Sequence, residues 1–180
     1  MYNSQYEQAA KRFEAALLQQ PTNKGYLKSH AEFQMLSGQH QQAIDGYLKL
    51  YPGKNGKLYD IRLNENFDST INMIWMWQQT NETAKADQLI SELKQLLAEF
   101  PDQNESYRQA MIAAVEGDSN LSAQLFFEQY KDGKSRAFWR GNHLPMLAEV
   151  MKSPISQDFG KLYEYEINQQ RNRVLAFEGI

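Results

Sequence analysis

Three histidines, His30, His40 and His143, are the side chains of this chain best suited to moving a proton near neutral pH or to holding a metal. None stands in an HxxH or HExxH spacing, so no two of them fall on one helix face to grip an ion. His30 reads as a packed or surface position on a helix. Among the carboxylates, Glu164 and Glu166 are two residues apart and point to different helix faces, which rules out an acid–base dyad. Gly53-Lys54-Asn55-Gly56-Lys57 sets two lysines among glycines, yet it lacks the GxxxxGK[ST] spacing and the preceding strand of a phosphate cradle. Asn81, Asn104 and Asn120 each begin an Asn-x-Ser/Thr sequence, and capping of helix starts and turns explains such residues. No nucleophile, base and orienting group can be assembled from these parts. The expectation is a non-enzyme that uses no cofactor and no metal.

Composition narrows the remaining classes. The chain has 180 residues, 42% of them hydrophobic and 23% charged, enough for one domain or a short helical array with a real core. A net charge of −3 argues against a nucleic-acid footprint, which needs clustered Lys and Arg. Cysteine is absent, excluding disulfides and thiolate metal sites. No apolar run approaches the length of a membrane span, and no export signal opens the chain.

The elements that would position any site are clearest between Tyr26 and Pro52, which predict two short helices turning at Ser37-Gly38 and stopping at proline. Ala31, Phe33, Met35 and Leu36 mark the first helix; Ala43, Tyr47 and Leu50 share one face of the second. Small Ala31 and Ala43 let the helix backbones approach closely, with Tyr47 filling the gap above them. Upstream, Tyr6–Gln20 is an amphipathic helix carrying Ala9, Phe13, Ala16 and Leu17, closed by Pro21. Ala9 and Ala43 stand 34 residues apart, as do Phe13 and Tyr47, and a pair of matches at that offset is a repeat signature.

The pattern of Ala31, Gly38, Ala43, Tyr47 and Pro52 resembles a tetratricopeptide repeat. That resemblance implies an all-α, right-handed α–α superhelix, a solenoid of helix pairs. The first repeat is only a half, since Met1–Gln5 is too short for a partner helix. The chain is therefore expected to be a fragment of a longer protein, or its first helix caps the array alone.

Later segments vary the theme. The first repeats occupy 6–52, an inserted loop 53–66, further repeats 67–133, and divergent capping helices 134–180. The loop is expected to hold a short ordered piece around Leu58–Ile61, either a binding loop or a plain connector. Beyond it, Asp68 or Ser69 is the expected N-cap of an apolar helix through Ile71, Ile74, Trp75 and Trp77, with a turn at Thr80-Asn81. Ala86, Ile90, Leu93 and Leu97 stripe the next helix; Ala86 follows Ala43 by 43 residues, and the loop supplies the extra nine. A fourth unit turns at Gly117-Asp118 and ends at Gly133, its second helix carrying Ala123, Leu125, Phe126, Phe127 and Tyr130. The tail predicts a helix starting near Pro145, a break at Lys152-Ser153-Pro154, and a long closing helix from Phe159 to Phe177.

Gly117, Asp118, Trp139, Pro145, Leu147, Phe159, Leu162, Arg171 and Leu175 make this ending similar to the C-terminal tetratricopeptide regions of bacterial multi-domain regulators. These include membrane-anchored winged-helix transcriptional regulators and class III adenylate cyclases. The resemblance implies a sensor or scaffold part of such a regulator, on the periplasmic side of the membrane ahead of the cytoplasm, with any winged-helix or cyclase domain lying upstream. Repeat arrays expose a concave groove lined by the first helix of each pair, where peptides dock. Aligning the units by their turns places Lys28, Glu32, Met35, Ile71, Trp75, Gln78, Tyr107 and Met111 there. The implied partner is a protein or peptide, or a second copy of the chain in a homodimer; neither nucleic-acid binding nor a membrane span is expected of this segment. A dimerising or structural spacer without a groove is the alternative.

Overall fold

A computed structural model describes residues 3–101, 105–131 and 144–178. Gly133, Trp139 and His143, and with them the approach to the tail, lie outside the described residues. The chain divides into two compact units, Met1–Glu105 and Ser106–Ile180. The first holds α1 (Asn3–Gln19), α2 (Lys24–Leu36), α3 (His40–Leu50), α4 (Phe67–Gln79) and α5 (Thr83–Glu99). The second holds α6 (Glu105–Val115, from Ser106 on), α7 (Ser119–Lys131), a 3-10 turn (Pro145–Leu147), α8 (Ala148–Lys152) and α9 (Pro154–Glu178). The described residues are all-α; apart from helices and turns they contain one isolated bridge, Pro52 with Tyr59.

Three helix hairpins close with the same backbone turn. Gly38, Asn81 and Gly117 all have positive φ, at 85°, 60° and 82°. One residue on, the N–H of Gln39 reaches back to the Gln34 carbonyl at 2.8 Å, that of Glu82 to Trp77 at 2.8 Å, and that of Asp118 to Ala113 at 2.9 Å. The turn residues themselves donate to Met35, Gln78 and Ala114. This is the Schellman arrangement, which satisfies carbonyls that a helix end leaves open. A left-handed residue is required at its centre, and glycine or asparagine accepts that conformation at least cost. Each following helix begins two residues later, so α2–α3 and α4–α5 are equal in turn length and in the length of their first helix.

Equivalent positions then bury equivalent side chains. Ala31, Ile74 and Ala110, at one place in the three first helices, are fully buried. Ala43, Ala86 and Ser122 share one place in the second helices and are buried too. In the first pair, a Cβ on Gly46 would come within 3.1 Å of the Ala31 Cβ, so α2 and α3 approach closely at Ala31 and Gly46, a glycine that the spacing had not singled out. In the first unit each helix packs on its chain neighbour, and α2 also meets α4. Phe13 of α1 packs 5.6 Å from Phe33 and 6.0 Å from Tyr26, between ring centroids.

α4 is the centre of the first unit. Between Phe67 and Trp77 every side chain is buried except Asp68 and Trp75. Burying a large apolar side chain contributes about 1.5–3 kcal/mol, so this helix dominates the unit's core. Its N-cap is Asn66, two to three residues earlier than expected; Ser69 is fully buried inside the helix rather than capping it. Asn66 itself is fully buried, and its side chain faces backward. Its Oδ1 accepts from the Arg62 N–H at 2.7 Å and its Nδ2 donates to the Asp60 carbonyl at 2.8 Å.

The segment between α3 and α4 is more ordered than a connector. Tyr51 and Tyr59 pack edge to face at 5.8 Å, Pro52 pairs with Tyr59, and the Asp60 N–H donates to the Tyr51 carbonyl at 3.2 Å. The Lys57 N–H closes the tip on the Lys54 carbonyl at 3.1 Å, around Asn55 and Gly56, both with positive φ. Two positive-φ residues inside such a bond define the type I′ turn, the favoured tip of a two-residue hairpin. Gly53 is sterically required, because a Cβ there would collide with the Lys57 carbonyl across the hairpin.

In the second unit Tyr107 of α6 meets Phe126 of α7 at 6.1 Å, and Phe159 of α9 sits against Phe127 and Tyr130 at 5.8 and 4.6 Å. α9 packs on α7 and on α8. The closing helix begins at Pro154 rather than at Phe159. Proline is favourable in a first turn, and Ser153 supplies the cap, its Oγ accepting from the Ser156 N–H at 3.2 Å. Near Pro145 the chain forms a 3-10 turn that runs into the short α8, where one continuous helix was expected.

Candidate functional site

The eight residues aligned to the groove divide by burial. Met35, Ile71 and Met111 are 1%, 0% and 1% exposed, so they belong to the core and cannot line an open surface. The expectation assumed that each first helix keeps one face free. α4 does not: neighbours cover nearly its whole circumference, and the second helix turn of Ile71 is inside. Lys28 and Glu32 on α2, Trp75 and Gln78 on α4, and Tyr107 on α6 are partly exposed. Lys28, Glu32, Trp75 and Gln78 belong to the first unit; Tyr107 and Met111 belong to the second.

Trp75 has a partner that spacing alone did not reveal. Its ring lies 5.0 Å from His40, at the start of α3, in an edge-to-face arrangement. Burial of this imidazole lowers its pKa below the ordinary value, keeping it neutral at pH 7. His30 is shifted the same way by burial, partly offset by Glu14. A neutral imidazole beside indole is a largely apolar face that can still take part in hydrogen bonding, and it is suited to contact. Among the described residues, no group of three or more His, Asp or Glu could hold a metal ion, and no helix is long and apolar enough to cross a membrane.

The other concentration of polar chemistry is the base of the hairpin. Arg62 donates to Asp60 through Nε at 3.0 Å and Nη2 at 2.8 Å, and to Glu65 through Nη1 at 2.8 Å. Lys54 adds a 3.4 Å ion pair to Asp60. The Arg62 guanidinium holds both carboxyl groups below their ordinary pKa. Every charge in this cluster is neutralised from within, so it clasps the loop and offers no free charge pattern to a phosphate. The tip is anchored by Lys57, 3.7 Å from Glu92 of α5.

Sequence reasoning missed the hairpin and its Asn66 clamp. The signal for the first was present: Asn-Gly is the strongest short-range mark of a type I′ turn. It also passed over Ser122, which is buried at the place that Ala43 and Ala86 hold in the other second helices. No family model, curated protein or solved structure matches this chain.

Proposed function

We propose that this chain is a non-enzymatic protein-interaction module built of tetratricopeptide-like helix pairs, winding as a right-handed superhelix with a C-terminal helical cap. One observation carries the reading: three hairpins share one turn geometry and bury small or apolar residues at the same places. Repetition of a unit that cannot bury its own faces is the basis of arrays that bind peptides and proteins along their first helices. The surface taken as the contact is the part of the first unit that stays accessible, Lys28, Glu32, Trp75 and Gln78, with His40 beside Trp75. A place in a larger bacterial transcriptional regulator, on the periplasmic side of a membrane, is the biological setting proposed from the ending residues.

The test is selection of peptides from a displayed random library, followed by binding titration against wild type, Trp75→Ala and Lys28→Ala. Peptides whose affinity falls at least tenfold in either variant, with the variant still folded at the assay temperature, support the reading. Enriched peptides indifferent to both variants overturn the assigned surface. The alternative is a dimerising spacer, and it predicts a concentration-dependent mass by sedimentation with no peptide enriched.

A further inference from the structure

The hairpin tip contains the only Asn-Gly step of the chain. Asn55 and Gly56 are both exposed, and the glycine has no side chain to hinder its own main-chain nitrogen. We propose that Asn55 is a spontaneous deamidation site and that the closed hairpin is the gate that restrains it. In the reaction the Gly56 main-chain nitrogen loses its proton to solvent base and attacks Cγ of Asn55. A new C–N bond closes a five-membered imide, the Cγ–Nδ2 bond breaks, and the amide leaves as ammonia. Water then opens the imide at either carbonyl, giving aspartate or isoaspartate; the net change is water in and ammonia out, with no oxidation or reduction.

The folded turn blocks the first step. Asn55 has φ 55° and Gly56 φ 81°, with the Lys57-to-Lys54 bond at 3.1 Å across them. In this type I′ geometry the Gly56 nitrogen lies nearly opposite Cβ about the Cα–C bond of Asn55, on the far side from Cγ. Attack needs the two on the same side, so the tip must first open. Opening loses the Lys57–Lys54 bond and strains the contacts below it, the Pro52–Tyr59 bridge and the Lys57–Glu92 ion pair. The two products then diverge. Aspartate places a negative charge between Lys54 and Lys57 and keeps the turn; isoaspartate lengthens the main chain by one methylene, and a two-residue turn no longer closes.

The experiment is incubation of the full chain at mildly alkaline pH, native and in urea, with peptide mass mapping of residues 51–60 over time. Conversion of Asn55 in the native protein at least about tenfold slower than in the unfolded chain is expected from gating by local opening. Equal rates in the two states overturn the gate. A second measurement isolates the chemistry: in urea, Gly56→Ala should slow conversion severalfold or more, because its methyl crowds the attacking nitrogen. An unchanged rate in that variant overturns attack by the main chain.

Discussion

Asn72 on α4 donates from Nδ2 to the Tyr47 hydroxyl on α3 at 3.2 Å, a buried bond between residues 25 apart in the chain. Tyr47 is fully buried and Asn72 is 4% exposed, so neither group can exchange its partner for bulk water. The bond ties the first repeated pair to the second, across the inserted hairpin. Tyr47→Phe removes the acceptor and leaves the amide buried without it, at a cost of about 1–3 kcal/mol. Combining it with Asn72→Leu should cost less than the sum of the singles, because the orphaned polar group is gone. Urea midpoints for the two singles and the double check this, and strict additivity would show that the pair does not interact.

The three shared turns set up a second comparison. Alanine at Gly38 or Gly117 must adopt positive φ, costing about 1–2 kcal/mol each. Asn81→Gly replaces a tolerated residue with the preferred one and should be neutral or slightly stabilising. A loss of stability in Asn81→Gly comparable to that of Gly38→Ala would mean that the Asn81 side chain, not the backbone conformation, holds the second turn. Melting temperatures of the three variants decide it.

These turns also show what could be read from the amino-acid order. Gly38, Asn81 and Gly117 were recognisable because a Schellman turn demands a particular backbone conformation, and few residue types accept it. Ala31, Ala43 and Ala86 were recognisable because close helix approach demands small side chains. Groove membership was harder to read. Met35, Ile71 and Met111 were aligned to an open face and are buried, because periodicity reports which residues share a face and not how much of the helix its neighbours enclose. α4 is enclosed almost completely, and that is a tertiary fact. Asn66 was missed for a related reason: its side chain serves the preceding loop instead of the helix it begins.

Ionisation of buried tyrosines predicts an alkaline limit. Burial raises the pKa of both Tyr47 and Tyr59 above the ordinary value of 10.0. The unfolded chain therefore loses these protons first as pH rises. Their contribution to stability is fully present below pH 10 and disappears as pH climbs through the folded values. Urea midpoints measured upward from pH 9 should begin to fall near pH 10, and Tyr59→Phe should weaken that dependence. A slope identical in wild type and Tyr59→Phe would place the alkaline loss elsewhere.

Histidine gives the opposite flank. His30 and His40 are both shifted below 6.5 by burial, so the unfolded chain takes up protons before the folded one does. Stability should decline as pH falls below 6.5 toward the depressed folded values. His40→Gln should flatten the profile between pH 7 and 5.5. An unchanged slope there would mean that His40 protonates as readily in the folded chain as in the unfolded one.

Trp75 and Trp77, two residues apart on α4, separate surface from core. Trp77 is 2% exposed and its indole nitrogen finds no hydrogen-bond partner among the described residues. Trp77→Ala opens a large cavity and should cost about 3–5 kcal/mol. Trp77→Phe keeps much of the volume and removes the unpaired N–H, so it should cost far less than alanine. Trp75 is only partly buried, and its ring contact with His40 is worth about 0.5–1.5 kcal/mol at most beyond area burial. Trp75→Ala should accordingly leave the fold intact with a modest drop in stability, which is what a residue kept for contact with a partner requires. Equal losses from Trp75→Ala and Trp77→Ala would make both residues core and remove the central anchor of the proposed surface.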